Sequence, residues 1–330
     1  MKGNIWTAIT VFLILSVPII VTGYGCSSGG GGGGGVSSGI TYKGLTSPAI
    51  IDENNAVDIA GSSLIGGEIG SNLDVLKSVS ETSETGKIPR VPDIASCFEN
   101  VIHGIESSTQ NNVSNLHAIQ SESDTVTGSC GGSVSISLSA DDQTGNFNGA
   151  LDFNHYCEEG STVNGKMSIS GNIDVNMGNM NYLEMTFTNI NILSGQESIS
   201  MSGNIDFNLQ SSTMLMTMSF VFKDNNLDKT FKYKDFVYEY TTGAGFTDVA
   251  LTGRYYNPDY GYVDISTESP LRIYDTDIWP SSGIVTATGD AGTKARLTVI
   301  DSSSFFVEAD TDGDGLYDDY TSGQQLWSEL

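Results

Sequence analysis

The residues with the clearest capacity for chemistry form an acidic run near the C-terminus. Asp310, Asp312 and Asp314 place carboxylates at alternate positions, and Gly315 follows them directly. A glycine permits a sharp turn, and a tight turn brings alternate carboxylates towards one point. Oxygen ligands at this spacing suit a hard cation, so the sequence predicts a calcium site. The expected ligands are the side chains of Asp310, Asp312, Asp314 and Asp318 and the backbone carbonyl of Leu316.

Residues 310–319 resemble the Asp-rich loops of dockerin modules, thrombospondin type 3 repeats and EF-hands. Position 12 of the loop is Thr321, where the EF-hand pattern has a bidentate glutamate. The resemblance therefore implies weak binding, in the millimolar range of extracellular modules. The expected role of the ion is structural, because it would neutralise carboxylates that repel one another. The alternative is an acidic turn that holds no ion.

No group of residues has the spacing of a catalytic site. The three histidines, His103, His117 and His155, share no metal-ligand spacing. The acidic pairs 141–142 and 158–159 lie in polar, turn-like stretches. Paired carboxylates serve glycoside hydrolysis only at a suitable separation. The sequence therefore predicts a protein that is not an enzyme, with a carbohydrate-active hydrolase as an alternative.

A stripe of methionines forms a candidate lining for an apolar ligand. Met214, Met216 and Met218 alternate along one strand-like run, and methionine adapts to irregular shapes. The same pattern is typical of a filled core, which we favour. The alternative function that follows from a pocket is a carrier or chaperone for an apolar molecule in a concave sheet.

The N-terminus has the pattern of an export signal. Lys2 precedes an apolar run over residues 5–21, and small residues lead to Cys26 and seven glycines, Gly29–Gly35. This segment resembles bacterial lipoprotein precursors. The resemblance implies a signal peptide over residues 1–25, lipid on Cys26 and anchoring to a bilayer, with the outer membrane as the expected location. A cleaved signal without lipid and an uncleaved anchor remain alternatives.

The other cysteines are Cys97, Cys130 and Cys157. An exported chain meets an oxidising environment, so one pair is expected to form a disulfide. Three pairings are possible, and we favour Cys130–Cys157. Both border strand-like runs, and a hairpin-like return would bring their outer ends together. Cys97 lies on the apolar face of a predicted helix.

The elements that must position these groups are mainly strands. A short pattern recurs at residues 147–154, 169–176 and 201–208, with apolar residues on one face and Asp and Asn on the other. A mid-strand glycine in each copy (Gly149, Gly171, Gly203) favours a bend, a bulge or a close approach. The clearest helix is predicted at residues 93–106, where apolar residues recur on one face. Weaker helical runs lie around 56–64 and 72–79.

The predicted fold is mainly β with minor α: a curved antiparallel sheet or incomplete β-barrel packed on one amphipathic helix. The predicted order is a Gly/Ser-rich tether at 26–47 and a globular domain at 48–330. Within that domain we expect helices in about 48–107, strands in about 133–309 and the acidic loop at 310–319. The net charge of −26 excludes nucleic acid as a partner, because phosphate neutralisation needs a basic surface. The expected function is a non-enzymatic structural or adhesive role at the bacterial cell surface.

Overall fold

The computed structural model of the 330-residue chain describes residues 39–62, 64, 120–141, 143–158, 161–175, 180–209 and 213–329. The predicted signal peptide, Cys26, Cys97 and the predicted helices at 72–79 and 93–106 lie outside these residues. A helix, α1, covers residues 56–62, within one of the two weaker helical runs.

Fourteen strands form one antiparallel sheet in which the spatial order equals the sequence order. Within the described residues the sheet is not closed, since the first and last strands each pair with a single neighbour. Two short 3-10 helices lie at Asp290–Gly292 and Trp327–Glu329. The strands are β1 (Gln120–Thr127), β2 (Gly131–Ala140), β3 (Asn146–Glu158), β4 (Ser161–Ile173), β5 (Met180–Ser194), β6 (Glu197–Asn208), β7 (Thr213–Asp224), β8 (Lys229–Gly243), β9 (Phe246–Asn257), β10 (Gly261–Tyr274), β11 (Ser282–Thr288), β12 (Lys294–Asp301), β13 (Ser304–Asp310) and β14 (Tyr320–Leu326).

The antiparallel sheet confirms the predicted fold class, and three details differ from the expectation. β1 and β14 lie outside the predicted strand region. The sequence also indicated separate strands at residues 262–266 and 271–274, whereas β10 is one strand across both. Irregular pairing interrupts its ladder to β9 between Val263 and Leu271.

One face of the sheet, the inner face, is apolar and buried. Along β5, Leu183, Met185 and Phe187 are buried, while the residues between them are more exposed. The outer face carries short polar side chains that contact one another across strands. Lys166 and Asp152 form an ion pair at 2.6 Å, and the hydroxyl of Ser170 donates to Glu184 at 2.9 Å. The two-residue alternation of the sequence therefore separates a core from a wet surface.

A row of bulges bends the sheet. His155, Asn189 and Asp235 have left-handed φ angles of 50°, 48° and 52°, and each lies where the strand register shifts. A bulge frees a backbone N–H from the ladder, and here a side chain of the neighbouring strand accepts it. The acceptors are Asn164 Oδ1 at 2.8 Å, Ser202 Oγ at 3.0 Å and Ser219 Oγ at 2.9 Å.

The recurring glycines let neighbouring side chains come close. A Cβ placed on Gly149 would lie 2.3 Å from Leu138 Cδ2, and one on Gly171 would lie 2.4 Å from Phe147 Cζ. Gly203 has a φ of 148°, and a Cβ there would lie 2.3 Å from the Cβ of Phe220. Glycine at these positions therefore removes the side chain that would keep adjacent strands apart.

The two ends of the sheet are built from alternate connections. We call the end formed by the connections after odd-numbered strands the first rim, and the opposite end the second rim. Cys130 and Cys157 form the predicted disulfide at the first rim, with their Cα atoms 5.1 Å apart. The Cys130 N–H also donates to the Cys157 carbonyl at 3.2 Å. The disulfide therefore joins the β1–β2 connection to the end of β3.

Residues 40–51, the strap, lie across the sheet and lead into α1. The N–H groups of Ile40 and Lys43 donate to side chains of β6 and β8, Ser202 Oγ at 3.2 Å and Thr230 Oγ1 at 2.7 Å. The Ala49 N–H donates to the Tyr262 carbonyl at 2.8 Å at the first rim. The last part of the predicted tether, residues 40–47, is thus bound to the sheet.

Candidate functional site

The acidic loop lies at the first rim, where it connects β13 to β14. Carboxylate oxygens of Asp310, Asp312 and Asp314 lie within 4.8 Å of one another. Asp310 is fully buried at the end of β13, whereas the other two side chains are exposed. The fold therefore brings together the three carboxylates that the sequence spacing singled out. Three oxygen donors so close to one another fit a hard cation such as calcium.

Backbone donors hold the buried carboxylate in place. Asp310 Oδ1 accepts the Gly313 N–H at 2.7 Å, and Oδ2 accepts the Gly315 N–H at 2.9 Å. Each oxygen keeps a further lone pair, so these bonds orient the carboxylate without exhausting its capacity as a ligand. Asp312 and Asp314 each accept the N–H two residues further along, at 3.1 and 2.8 Å.

One of the predicted side-chain ligands, Asp318, stays outside this cluster. Asp318 is exposed and is not part of the group of three carboxylates. Leu316 donates its N–H to Asp314, and its side chain is exposed. Instead, Asp319 closes the loop: its Oδ2 accepts the Thr311 N–H at 2.7 Å and the Thr311 hydroxyl at 3.0 Å. The hydrogen bond from the Thr311 N–H is the main reason why the pKa of Asp319 lies below its usual value.

The loop packs against two neighbours on the sheet. A Cβ on Gly313 would lie 2.3 Å from the carbonyl of Ala291, in the β11–β12 connection. The Arg296 guanidinium lies 4.1 Å from the centre of the Tyr317 ring and pairs with Glu308 at 2.7 Å. The loop is therefore held against β12 and the connection that precedes it.

The methionine stripe lies on the inner face of the sheet. Met216 and Met218 are completely buried, and Met214 is partly buried near the second rim. Tyr238 pairs with Met216 across β7 and β8, and its buried hydroxyl has no hydrogen-bond partner among the described residues. Burial raises the pKa of this phenol well above its usual value. Two of the three methionines thus fill the core.

Comparisons with protein-family models, with curated proteins and with solved structures find no match to this chain. In the part of the chain that the structure describes, no helix is both long enough and apolar enough to cross a membrane.

Proposed function

We propose that the protein is an exported lipoprotein, tethered to a membrane through Cys26, with a structural or adhesive role at the bacterial surface and no enzymatic activity. The observation that carries this proposal is the order of the N-terminal segments. An apolar run with a preceding lysine is followed by Cys26 and then by seven glycines. That order suits export, lipid attachment and a spacer, in succession.

Two features of the fold support the proposal. The disulfide Cys130–Cys157 suits an oxidising compartment, because such bonds persist mainly outside the cytosol. The complete burial of Met216 and Met218 supports a structural role over that of a carrier, since these side chains already have packing partners.

Mass spectrometry of the native protein purified from membranes tests the tether. We expect the mature chain to begin at Cys26 and to carry the mass of attached lipid. The variant Cys26→Ser should be released from the membrane fraction, whereas Cys97→Ser should remain there. An unmodified chain that begins upstream of Cys26 would refute the proposal.

We also propose that the acidic loop binds calcium, on the basis of its spacing and of the three neighbouring carboxylates. For a Kd of about 1 mM, 10 mM calcium would stabilise the folded state by about 1.4 kcal/mol. We therefore expect calcium to raise the melting temperature. The variant Asp312→Asn should lose this response, while Asp275→Asn, which removes an exposed carboxylate at the second rim, should keep it. An unchanged melting temperature in the unsubstituted protein would count against the ion.

A further inference from the structure

The cationic side chains of this acidic protein are concentrated in one place. Ten of the 14 Lys and Arg residues lie in the described part of the chain, and six of these ten lie on the outer face near the first rim, around β7 to β9 and the strap. The remaining surface must therefore carry most of the net charge of −26. We call these six residues and the aromatic residues between them the basic patch. Its cations are Lys43, Lys223, Lys229, Lys232, Lys234 and Arg254.

Ion pairs neutralise only part of the patch. Four carboxylates contact its cations: Asp228, Asp235, Asp259 and Asp264. The Lys229–Asp259 pair links the β7–β8 and β9–β10 turns. In the described part of the chain, Lys43 and Lys232 have no carboxylate within ion-pair distance. Asp224, which accepts two N–H groups in the β7–β8 turn, is a fifth carboxylate beside these cations. Six cations against five carboxylates still leave a small positive excess in a strongly negative molecule.

Aromatic rings lie between the cations. The Lys232 ammonium lies 5.0 Å from the centre of the Tyr256 ring, and the Arg254 guanidinium lies 4.0 Å from that of Tyr262. Tyr42 of the strap packs on Tyr256 with ring centres 5.6 Å apart. Cations interleaved with tyrosines are typical of surfaces at the boundary between water and lipid, because both side-chain types have an apolar body and a polar end.

Exposed leucines lie at the edge of the same patch. Leu227 in the β7–β8 turn is 55% exposed, and Leu45 of the strap is 49% exposed. The Leu45 N–H donates to the Pro258 carbonyl in the β9–β10 turn at 3.2 Å. This turn contacts the β7–β8 side through Lys229. Leu227 therefore projects from the β7–β8 turn, and Leu45 projects from the strap beside the β9–β10 turn, close to the cations.

The chain reaches the patch from the predicted tether. The strap begins beside β6 with Ile40, and Lys43 lies beside β8 on the part that leads to the first rim. A lipid on Cys26 would therefore hold this part of the sheet closest to the bilayer. A short tether also gives the patch a millimolar effective concentration at the membrane, so weak contacts suffice.

We propose that the basic patch rests on the phosphate-bearing headgroups of the bilayer that holds the tether. This inference rests on the proposed function. Each cation near an anionic leaflet is attracted to it, whereas the acidic remainder of the molecule is repelled and screened beyond about 10 Å. The patch therefore fixes the orientation of the sheet, with the outer face around β7 to β9 towards the membrane.

Amine labelling of the lipidated, full-length protein tests this orientation. The protein is placed in vesicles of phosphatidylglycerol and phosphatidylethanolamine, and lysine acetylation is followed by mass spectrometry against the same protein in neutral detergent. We expect Lys43 and Lys232 to react about fivefold more slowly in the vesicles. Lys166, exposed on β4, serves as the internal control and should react at the same rate in both. Equal rates at all three lysines would overturn the proposal.

Variants without lipid separate the patch from the tether. A chain that begins after Cys26 should sediment with phosphatidylglycerol vesicles at low salt and not with phosphatidylcholine vesicles. Lys43→Glu should weaken this binding about fivefold or more, whereas Lys166→Glu, with the same charge change, should not. If Cys26 proves unmodified but the chain still binds phosphatidylglycerol vesicles, lipid attachment is refuted and the contact between the basic patch and headgroups is supported. Two results would overturn the proposal. One is vesicle binding that does not depend on lipid charge. The other is protection of Lys43 and Lys232 from acetylation in whole cell envelopes but not in lipid vesicles.

Discussion

The substitution Gly203→Ala tests whether the close approach between β6 and β7 requires glycine. Gly203 has a φ of 148°, a conformation that costs a residue with a side chain about 1–3 kcal/mol. The new Cβ would also lie 2.3 Å from both the Cβ of Phe220 and the carbonyl oxygen of Ser219. Overpacking of this kind costs about 1–3 kcal/mol more. We therefore expect Gly203→Ala to lower the free energy of unfolding by about 2–6 kcal/mol.

Gly195→Ala is the matched control for this experiment. Gly195 also has a positive φ, 58°, but a Cβ there meets no atom within 4 Å. Its substitution should cost only the backbone strain, about 1–2 kcal/mol. Urea unfolding followed by circular dichroism measures both variants. If Gly203→Ala is no more destabilising than Gly195→Ala, the close approach between β6 and β7 is not what requires glycine.

Three further predictions concern single features of the sheet. Replacing Cys130 and Cys157 by serine should lower the free energy of unfolding by about 3–4 kcal/mol, because the sequence separation of 27 closes a long loop in the unfolded chain. Burial, and secondarily Glu184 opposite on β5, raise the pKa of the Asp206 carboxyl. The folded state therefore holds the Asp206 proton more tightly than the unfolded chain, and the stability that this protonation contributes is lost as pH rises. Asp206→Asn should stabilise the protein at neutral pH and make its free energy of unfolding less dependent on pH. Tyr238→Phe should stabilise the protein by about 1–3 kcal/mol, because it removes a buried hydroxyl that has no partner among the described residues.

Urea unfolding over a range of pH measures all three changes. A loss of less than about 1 kcal/mol in the double serine variant would contradict the loop-closure argument. For Asp206→Asn, an unchanged pH profile would mean that the carboxyl titrates alike in the folded and unfolded chains. A destabilised Tyr238→Phe variant would show that the hydroxyl has a binding partner in solution.

The strands of the sheet were predictable because their pattern is local. Apolar residues at every second position decide which face is buried, as at Leu183, Met185 and Phe187. The edge strands were not predictable in this way. β1 and β14 are polar over most of their length, because an edge strand does not need an apolar side chain at every inward position. The alternating sequence pattern therefore predicts the strands that contribute apolar side chains to the core, and it does not predict the two edge strands.

The bulges depend on pairs of residues far apart in sequence. Asn189 adopts a left-handed φ, and its N–H is accepted by Ser202 of the next strand. Neither residue alone predicts a bulge. The acidic loop shows the same limit: the spacing of Asp310, Asp312 and Asp314 predicted their cluster, whereas the role of Asp319 requires the loop to return to Thr311. Local spacing thus predicts a site, and the return of the chain decides which residues close it.

The edges of the sheet explain how an open sheet avoids adding further strands. The inner face of β2 is apolar at Ile136, which pairs with Asp124 on β1. On the other side, Phe305 of β13 pairs with Gln325 of β14. A polar or charged residue in line with the buried face makes pairing with another chain costly, because the added strand would cover it. The two edge strands of the sheet therefore carry their own protection against assembly.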